Sequence, residues 1–145
     1  MSTDTLTDFT ELRRLTERFD ITESFFEMFV HQNPALVWMK DYTDGEGRMA
    51  FVSDNVEGAF GYKADDWVGK TDSELLPEHV ASQLRRQDKL VIETGQPTFT
   101  EESSPYGVEE KWRVTRVIKF PVFNSAGDVI GVGGMAWPKY DRTTQ

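Results

Sequence analysis

The sequence contains no cysteine. That excludes disulfides, thiolate metal sites, thioether haem linkage and a cysteine nucleophile. Histidine is nearly as scarce, with two residues, His31 and His79. No second histidine stands at metal-ligand spacing from either, so no metal site is expected. No apolar run approaches the roughly 20 residues needed to span a bilayer. The start, Met1-Ser-Thr-Asp-Thr5, is polar and acidic rather than signal-like, so a cytoplasmic protein without membrane contact is expected. Positive charge is outnumbered: the net charge is −9, which argues against nonspecific nucleic-acid or anionic-membrane binding. Aromatic side chains are well supplied, with four Trp and ten Phe to fill a core within 145 residues.

Two β-rich runs flank Asn124-Ser-Ala-Gly127 and predict a long hairpin from Lys111 to Trp137. The first run alternates Trp112, Val114, Arg116, Ile118 and Phe120 against Arg113, Thr115, Val117 and Lys119. Hydrophobicity alone turns the Trp112 side inward. In the second run Ile130, Val132 and Ala136 oppose Val129, Gly131, Gly133 and Met135. Pro121 has no N–H for the ladder and belongs near a strand end or a bulge.

Upstream, Asp8-Phe-Thr-Glu11 reads as a capping box opening a helix to about Phe19, striped by Phe9, Leu12, Leu15 and Phe19. That helix lies on the domain's own sheet or pairs with its copy in a homodimer. Asp20-Ile-Thr-Glu23 opens a second helix to about His31, ended by Asn33-Pro34. Residues 35–41 and 48–53 form a hairpin around Asp44-Gly-Glu-Gly47. Short helical turns follow at 54–60, 64–69 and 71–76, with Asp54, Asn55, Thr71 or Asp72 as caps. A longer helix runs from Pro77 to Thr94, with Val80, Leu84 and Val91 on its buried stripe beside Ala81 and Leu90. A strand at 98–102 precedes the long hairpin. Grouped strands and helices of this kind argue an α+β fold with an antiparallel sheet.

From about Phe25 to Trp137 these segments resemble the PAS family. The resemblance rests on Asn33-Pro-Ala-Leu-Val-Trp-Met-Lys-Asp41, on Ser53-Asp-Asn55 with Phe60-Gly-Tyr62, and on Trp67-Val-Gly-Lys-Thr-Asp72 with Leu75-Leu-Pro77. Glu93-Thr-Gly-Gln-Pro97, Lys119-Phe-Pro-Val122 and Gly127-Asp-Val-Ile-Gly131 complete it. Each motif is weak alone; their order and spacing make them strong together. The resemblance implies a five-stranded antiparallel sheet of order 2-1-5-4-3. Short helices would make a pocket over one face and N-terminal helices would cap the other. Residues 1–24 would be a loose start and amphipathic helix, 25–140 the PAS-like domain, and 141–145 a tail toward an output domain. Asp141 and Thr143 echo the family's closing Asp-Ile-Thr but are displaced, and Arg142 replaces its apolar residue.

The implied role is sensory. Such a domain binds a small molecule or a partner and passes the change to an output such as a histidine kinase, nucleotide cyclase or transcription regulator. That output lies in a longer parent chain or in a partner protein. The alternative is an interaction-only dimerisation module with a filled core. The expected pocket lining is Trp38, Phe51, Trp67, Leu75, Leu84, Val91, Thr115, Val117, Gly131, Gly133 and Met135. The bare glycines would leave a gap for Trp38 or Trp67 to fill. In the family's alignment Arg113, Thr115, Val117 and Lys119 face the pocket, against the hydrophobicity reading, and Arg113 or Lys119 would then bind an anionic ligand.

The cofactor is not named by the sequence. Asp72 occupies the position of the light-sensing subfamily's cysteine and Gly133 that of its glutamine, so flavin is disfavoured and Asp72 is better read as a cap. Haem would need His79 as axial ligand, but Leu76-Pro-Glu-His-Val80 is ordinary for non-haem members. Asp41, Asp54, Asp72 and His79 would carry any acid–base chemistry. All have turn or cap readings, so no enzyme is expected.

Overall fold

The computed structural model describes residues 22–103 and 109–138. The chain starts there with helix α1 (Thr22–His31), whose first turn holds Glu23 and whose last holds His31, both matching the helix dipole. The Asn33 side chain accepts the Ala35 N–H at 3.0 Å and turns the chain into β1 (Leu36–Asp41). A hairpin leads to β2 (Arg48–Val52). Three short helices follow: α2 (Val56–Phe60), α3 (Ala64–Trp67) and α4 (Asp72–Leu75). The long helix α5 (Glu78–Thr94) ends at Gly95, whose φ of 62° is the left-handed conformation that terminates a helix at little steric cost to glycine. Strand β3 (Thr98–Ser103), a 3-10 turn (Glu110–Trp112), β4 (Val114–Phe123) and β5 (Val129–Pro138) complete the chain.

The five strands form one antiparallel sheet of order β2-β1-β5-β4-β3, as expected. Its register decides which side chains share a face. Trp38 and Lys119 both lie opposite Gly134, Val117 lies opposite Ala136, and Lys40 opposite Val132. The inner face therefore carries Leu36, Trp38, Lys40, Thr115, Val117, Lys119, Val132, Gly134 and Ala136. Gly134 is required there: a Cβ would collide with the Trp38 indole.

Two devices fix the helical middle to this sheet. Met49 donates its N–H to the Lys70 carbonyl at 3.0 Å and accepts from Gly69 at 2.8 Å, tying the α3–α4 junction to β2. Asn55 does not cap α2 with its side chain. Its Nδ2 donates instead to the carbonyls of Ala35 (2.9 Å) and Pro34 (3.1 Å), and its Oδ1 accepts from the Ser53 hydroxyl. Ser53 Oγ in turn accepts the Val37 N–H, so the entry to β1 and the exit from β2 close on each other. On the outer face, α1 covers part of the sheet through an edge contact of Phe26 with Phe51 at 5.1 Å.

The structure corrects several expectations. Trp112 is not in β4; it sits in the 3-10 turn before it and is 3% exposed. The strand's alternation thus restarts at Val114, and the Thr115 side faces inward. Leu90 is exposed rather than part of the buried stripe, whose deepest residues are Ala81, Asp88 and Val91. Pro121 is opposite Val132, and the register shift lies just beyond it, between Val122 and Phe123. The helix at 8–19, most of the 1–24 segment and the 141–145 tail lie outside the described residues.

Candidate functional site

Between the inner face of the sheet and helices α2 to α5 lies a cavity of about 330 Å³. Trp38 from β1, Trp67 from α3 and Trp112 from the 3-10 turn supply its aromatic walls. Leu36, Met49, Val52, Val56, Ala59, Phe60, Val80, Leu84, Val117 and Ala136 add apolar surface. One wall is polar: Lys40, Asp72, Thr115 and Lys119 border the space, with His79, Gln83 and Glu102. This size falls at the lower end of small-molecule sites, roughly 300–1,000 Å³, and the mix of apolar lining with a few polar groups is typical of them.

Four buried charges form this side, three of them bordering the cavity and the fourth, Asp88, behind them. Lys40 Nζ donates to Asp72 Oδ2 at 2.5 Å and to Asp88 Oδ2 at 2.9 Å. Lys119 Nζ donates to Asp88 Oδ1 at 2.8 Å, and the Tyr42 hydroxyl donates to Asp88 Oδ2 at 2.6 Å. Side-chain exposure is 5% or less for all four ions, so each ammonium depends on the carboxylates beside it. The chain order explains the meeting. Period-two alternation in β1 puts Lys40 on the face of Leu36 and Trp38, and the same alternation in β4 puts Lys119 beside Val117. Asp88 stands four residues after Leu84 and three before Val91 on α5, which is the helix's inward stripe. Asp72 opens α4 in a helix whose cap is Thr71, with Glu74 reaching back to complete the capping box.

The charges are not equally served. Burial alone would push Asp88 up, but Lys40 and Lys119, with the bonds from Lys119 and Tyr42, hold it down at about 2. Burial would lower Lys40, yet the charges of Asp88 and Asp72 outweigh it and raise the ammonium's pKa. Burial does lower Lys119, because one shared carboxylate does not offset it and the Lys40 charge adds repulsion. Tyr42 is raised by burial and by the adjacent Asp88 charge. Lys119 is the less compensated cation.

Of the expected lining residues, Trp38, Trp67, Leu84, Thr115 and Val117 border the cavity. Phe51, Leu75, Val91, Gly131, Gly133 and Met135 do not. Phe51 is opposite Met39 on the outer face and meets Phe26 there. Leu75 packs against the core beside the cavity, and Val91 is fully buried away from it. Gly131, Gly133 and Met135 have the wrong parity on β5: the Phe120 ring lies against Gly133, and Met135 is opposite Val37 and Ile118. The glycine that makes room for Trp38 is Gly134, one residue along.

Arg113 is exposed and does not reach the cavity, while Lys119 does, already paired to Asp88. Asp72 is an ion-pair partner rather than a cap. His79 borders the cavity but remains exposed. Asp41 accepts the Thr43 N–H at 2.8 Å in a turn, and Asp54 meets His31 at 2.9 Å on the surface. Lys40, Tyr42 and Asp88 were not anticipated as site residues.

A family model described as "PAS fold" matches residues 30–142, which is most of the chain. The chain belongs to the PAS family. Its fold is shared with solved structures of other proteins. One is the PAS domain of BvgS from Bordetella pertussis, at 22% identity and a TM-score of 0.65, covering 83% of this chain and 88% of that one. Another is the VqmA dimer of Vibrio cholerae, described in the absence of target DNA in connection with DNA binding by LuxR-type receptors. It has 25% identity and a TM-score of 0.69 over 83% of this chain and 53% of that one. A VqmA bound to DPO matches with 25% identity and a TM-score of 0.69, over 83% of this chain and 58% of that one. This PAS domain thus spans a little over half the length of the VqmA chains it matches. No curated protein sequence matches it.

The VqmA comparison overturns the expectation that nucleic acid plays no part, since a protein similar to this PAS domain is a DNA-binding receptor. The physical reason is one of scope: an acidic net charge describes the surface of this segment, not of every unit a sensor works with. Among the described residues no helix is long and apolar enough to cross a membrane.

Proposed function

We propose that this PAS domain is the sensory unit of a cytoplasmic signal-transduction protein. It binds a small molecule in the cavity and relays occupancy, through a homodimer and its terminal helices, to an output domain such as a histidine kinase, a nucleotide cyclase or a transcription regulator. The observation that carries this reading is the cavity of about 330 Å³ between sheet and helices, apolar on most sides and lined by charged side chains on one. A VqmA bound to DPO, similar to most of this chain, supports a small-molecule ligand.

The use of the carboxylates supports a reading of binding rather than catalysis. Asp72 and Asp88 are each committed to an ammonium group, and a carboxyl held at about 2 is a weak base near neutral pH. The dimer is favoured by the apolar side chains left on the surface, Phe25, Phe99 and Phe123 at 65%, 75% and 52% exposed, and by the stripe Phe9, Leu12, Leu15 and Phe19.

Native mass spectrometry of the purified chain, with an absorbance spectrum, tests both parts. A dimer carrying an extra small mass is expected, reduced to a monomer by Leu12→Glu with Leu15→Glu. An empty dimer that no small molecule stabilises would favour the interaction-only module instead. A Soret band would transfer attention to His79 and haem.

A further inference from the structure

The cavity's polar wall carries the ammoniums of Lys40 and Lys119 and the carboxylate of Asp72; Asp88 stands behind it, bonded to both ammoniums without bordering the space. A ligand therefore meets ammoniums whose charge is already matched by carboxylates. The hydrogen-bond inventory is less balanced. An ammonium has three N–H groups. Lys40 directs two at Asp72 and Asp88, whereas Lys119 directs one at Asp88. Asp88 is saturated by Lys40, Lys119 and Tyr42. Lys119 therefore keeps N–H groups for the cavity, beside the carboxylates of Asp72 and Glu102 that also border it. Two further groups border the space. Glu102 accepts from Gln87 Nε2 at 2.8 Å and from Thr100, and His79 is exposed to water.

We propose that the cavity selects a mostly apolar molecule with a neutral hydrogen-bond acceptor, such as a ketone, amide or aza-aromatic, that takes its hydrogen bond from Lys119. It discriminates against carboxylates of the same shape. This rests on the reading of the cavity as a ligand site. A carboxylate entering the space loses its hydration and finds Lys119 already neutralised by Asp88, with Glu102 nearby as a like charge. A neutral acceptor satisfies the unused N–H groups of Lys119 without separating Lys119 from Asp88, while its apolar body meets Trp38, Trp67 and Trp112. The sequence had suggested an anion for Lys119; pairing with Asp88 changes the class of ligand.

Three probes of one bicyclic shape test this on the 145-residue chain at pH 7: 1-tetralone, tetralin and tetralin-1-carboxylate. Binding is read from tryptophan fluorescence. The ketone should bind about 3- to 10-fold tighter than tetralin, the span of one net hydrogen bond. It should exceed the carboxylate by at least about 10-fold, as buried unpaired charge demands. Lys119→Met should abolish the ketone's advantage over tetralin while tetralin still binds. Asp88→Asn, which removes the carboxylate that neutralises Lys119, should raise carboxylate binding relative to the ketone. Equal binding of ketone and tetralin, or carboxylate binding as tight as the ketone in the unmodified chain, overturns the inference and leaves the ligand site standing. No binding by any of the three up to millimolar concentration overturns the ligand site as well. The unmodified chain decides the point even if a variant fails to fold.

Discussion

Replacing Asp88 with asparagine keeps the side chain's shape and removes one charge from a buried cluster. Asp88 is fully buried and accepts three hydrogen bonds, from Lys40 at 2.9 Å, Lys119 at 2.8 Å and Tyr42 at 2.6 Å. A first estimate of what the charge contributes comes from its acidity. Displacement of the carboxyl from 3.8 to about 2 corresponds to about 2 kcal/mol. Asparagine does worse than a protonated acid, because its amide NH2 replaces an acceptor and points a donor at an ammonium. Removing one partner of a buried ion pair costs roughly 3–5 kcal/mol, and that is the expected loss. At about 3 °C per kcal/mol for a chain of this size, the midpoint of thermal unfolding should fall by about 10 °C. Urea unfolding followed by tryptophan fluorescence measures the free energy directly. Adding Lys119→Met to Asp88→Asn removes the stranded ammonium and should restore about half of the loss. A loss below about 1 kcal/mol for the single variant would mean that water reaches these groups, and the burial argument would fail. A double variant as unstable as the sum of the two single ones would show that Asp88 and Lys119 are not coupled.

The same carboxyl sets an acid limit. Its folded pKa lies below its ordinary value, so its contribution is complete above about pH 4–5 and is lost as pH falls through about 2. About 2 kcal/mol of stability should disappear across that window in urea titrations and be absent from Asp88→Asn; an unchanged acid slope in the variant would refute the assignment. Gly134→Ala places a methyl group on the Trp38 ring, which must then give way toward the cavity it borders. A loss of roughly 1–3 kcal/mol is expected for such overpacking, with a changed tryptophan emission, and a neutral substitution would show that the register at Trp38 and Gly134 is wrong.

Much of the fold was legible because its signals are local. Pro77 and Gly95 bracket α5, Asn124 and Gly127 mark the β4–β5 turn, and the order of short motifs carries the sheet topology. The site was legible only in part, for reasons of parity and pairing. Trp112 reads as the start of a strand by alternation, yet its N–H bonds to the Glu109 carbonyl at 2.9 Å in a 3-10 turn, and this one interruption reverses the apparent inside of β4. On β5, where Gly131, Gly133 and Gly134 leave little side-chain contrast, only the pairing with β1 reveals that Gly134 faces Trp38. The ion cluster left a trace that hydrophobic stripes hide. Lys40 follows Leu36 and Trp38 at even spacing, and Asp88 sits between Leu84 and Val91. A charged residue at the inward position of an element asks for an opposite charge from another element, and here each supplies the other.

That cluster also bears on what the cavity is for. Burying four charges is a poor way to gain stability, since well-packed apolar side chains of the same volume often do as well or better. The neighbourhood could have taken them: Trp38, Val117 and Leu84 lie alongside, and Val91 and Ala81 flank Asp88 on α5 with no exposure. What apolar replacements would lose is direction. Lys40 and Lys119 rise from two strands, and Asp72 and Asp88 descend from two helices, so the cluster joins the two layers at the edge of the space between them. A molecule in the cavity meets Lys40 and Lys119 from the sheet and Asp72 from the helices, with Asp88 directly behind them. Any shift it causes in Lys119 is felt at Asp88 on α5, and any shift in Asp88 at Lys40 on β1, through bonds of 2.8 and 2.9 Å. A cavity lined only by hydrocarbon would hold a ligand of similar shape with less directional coupling between the layers.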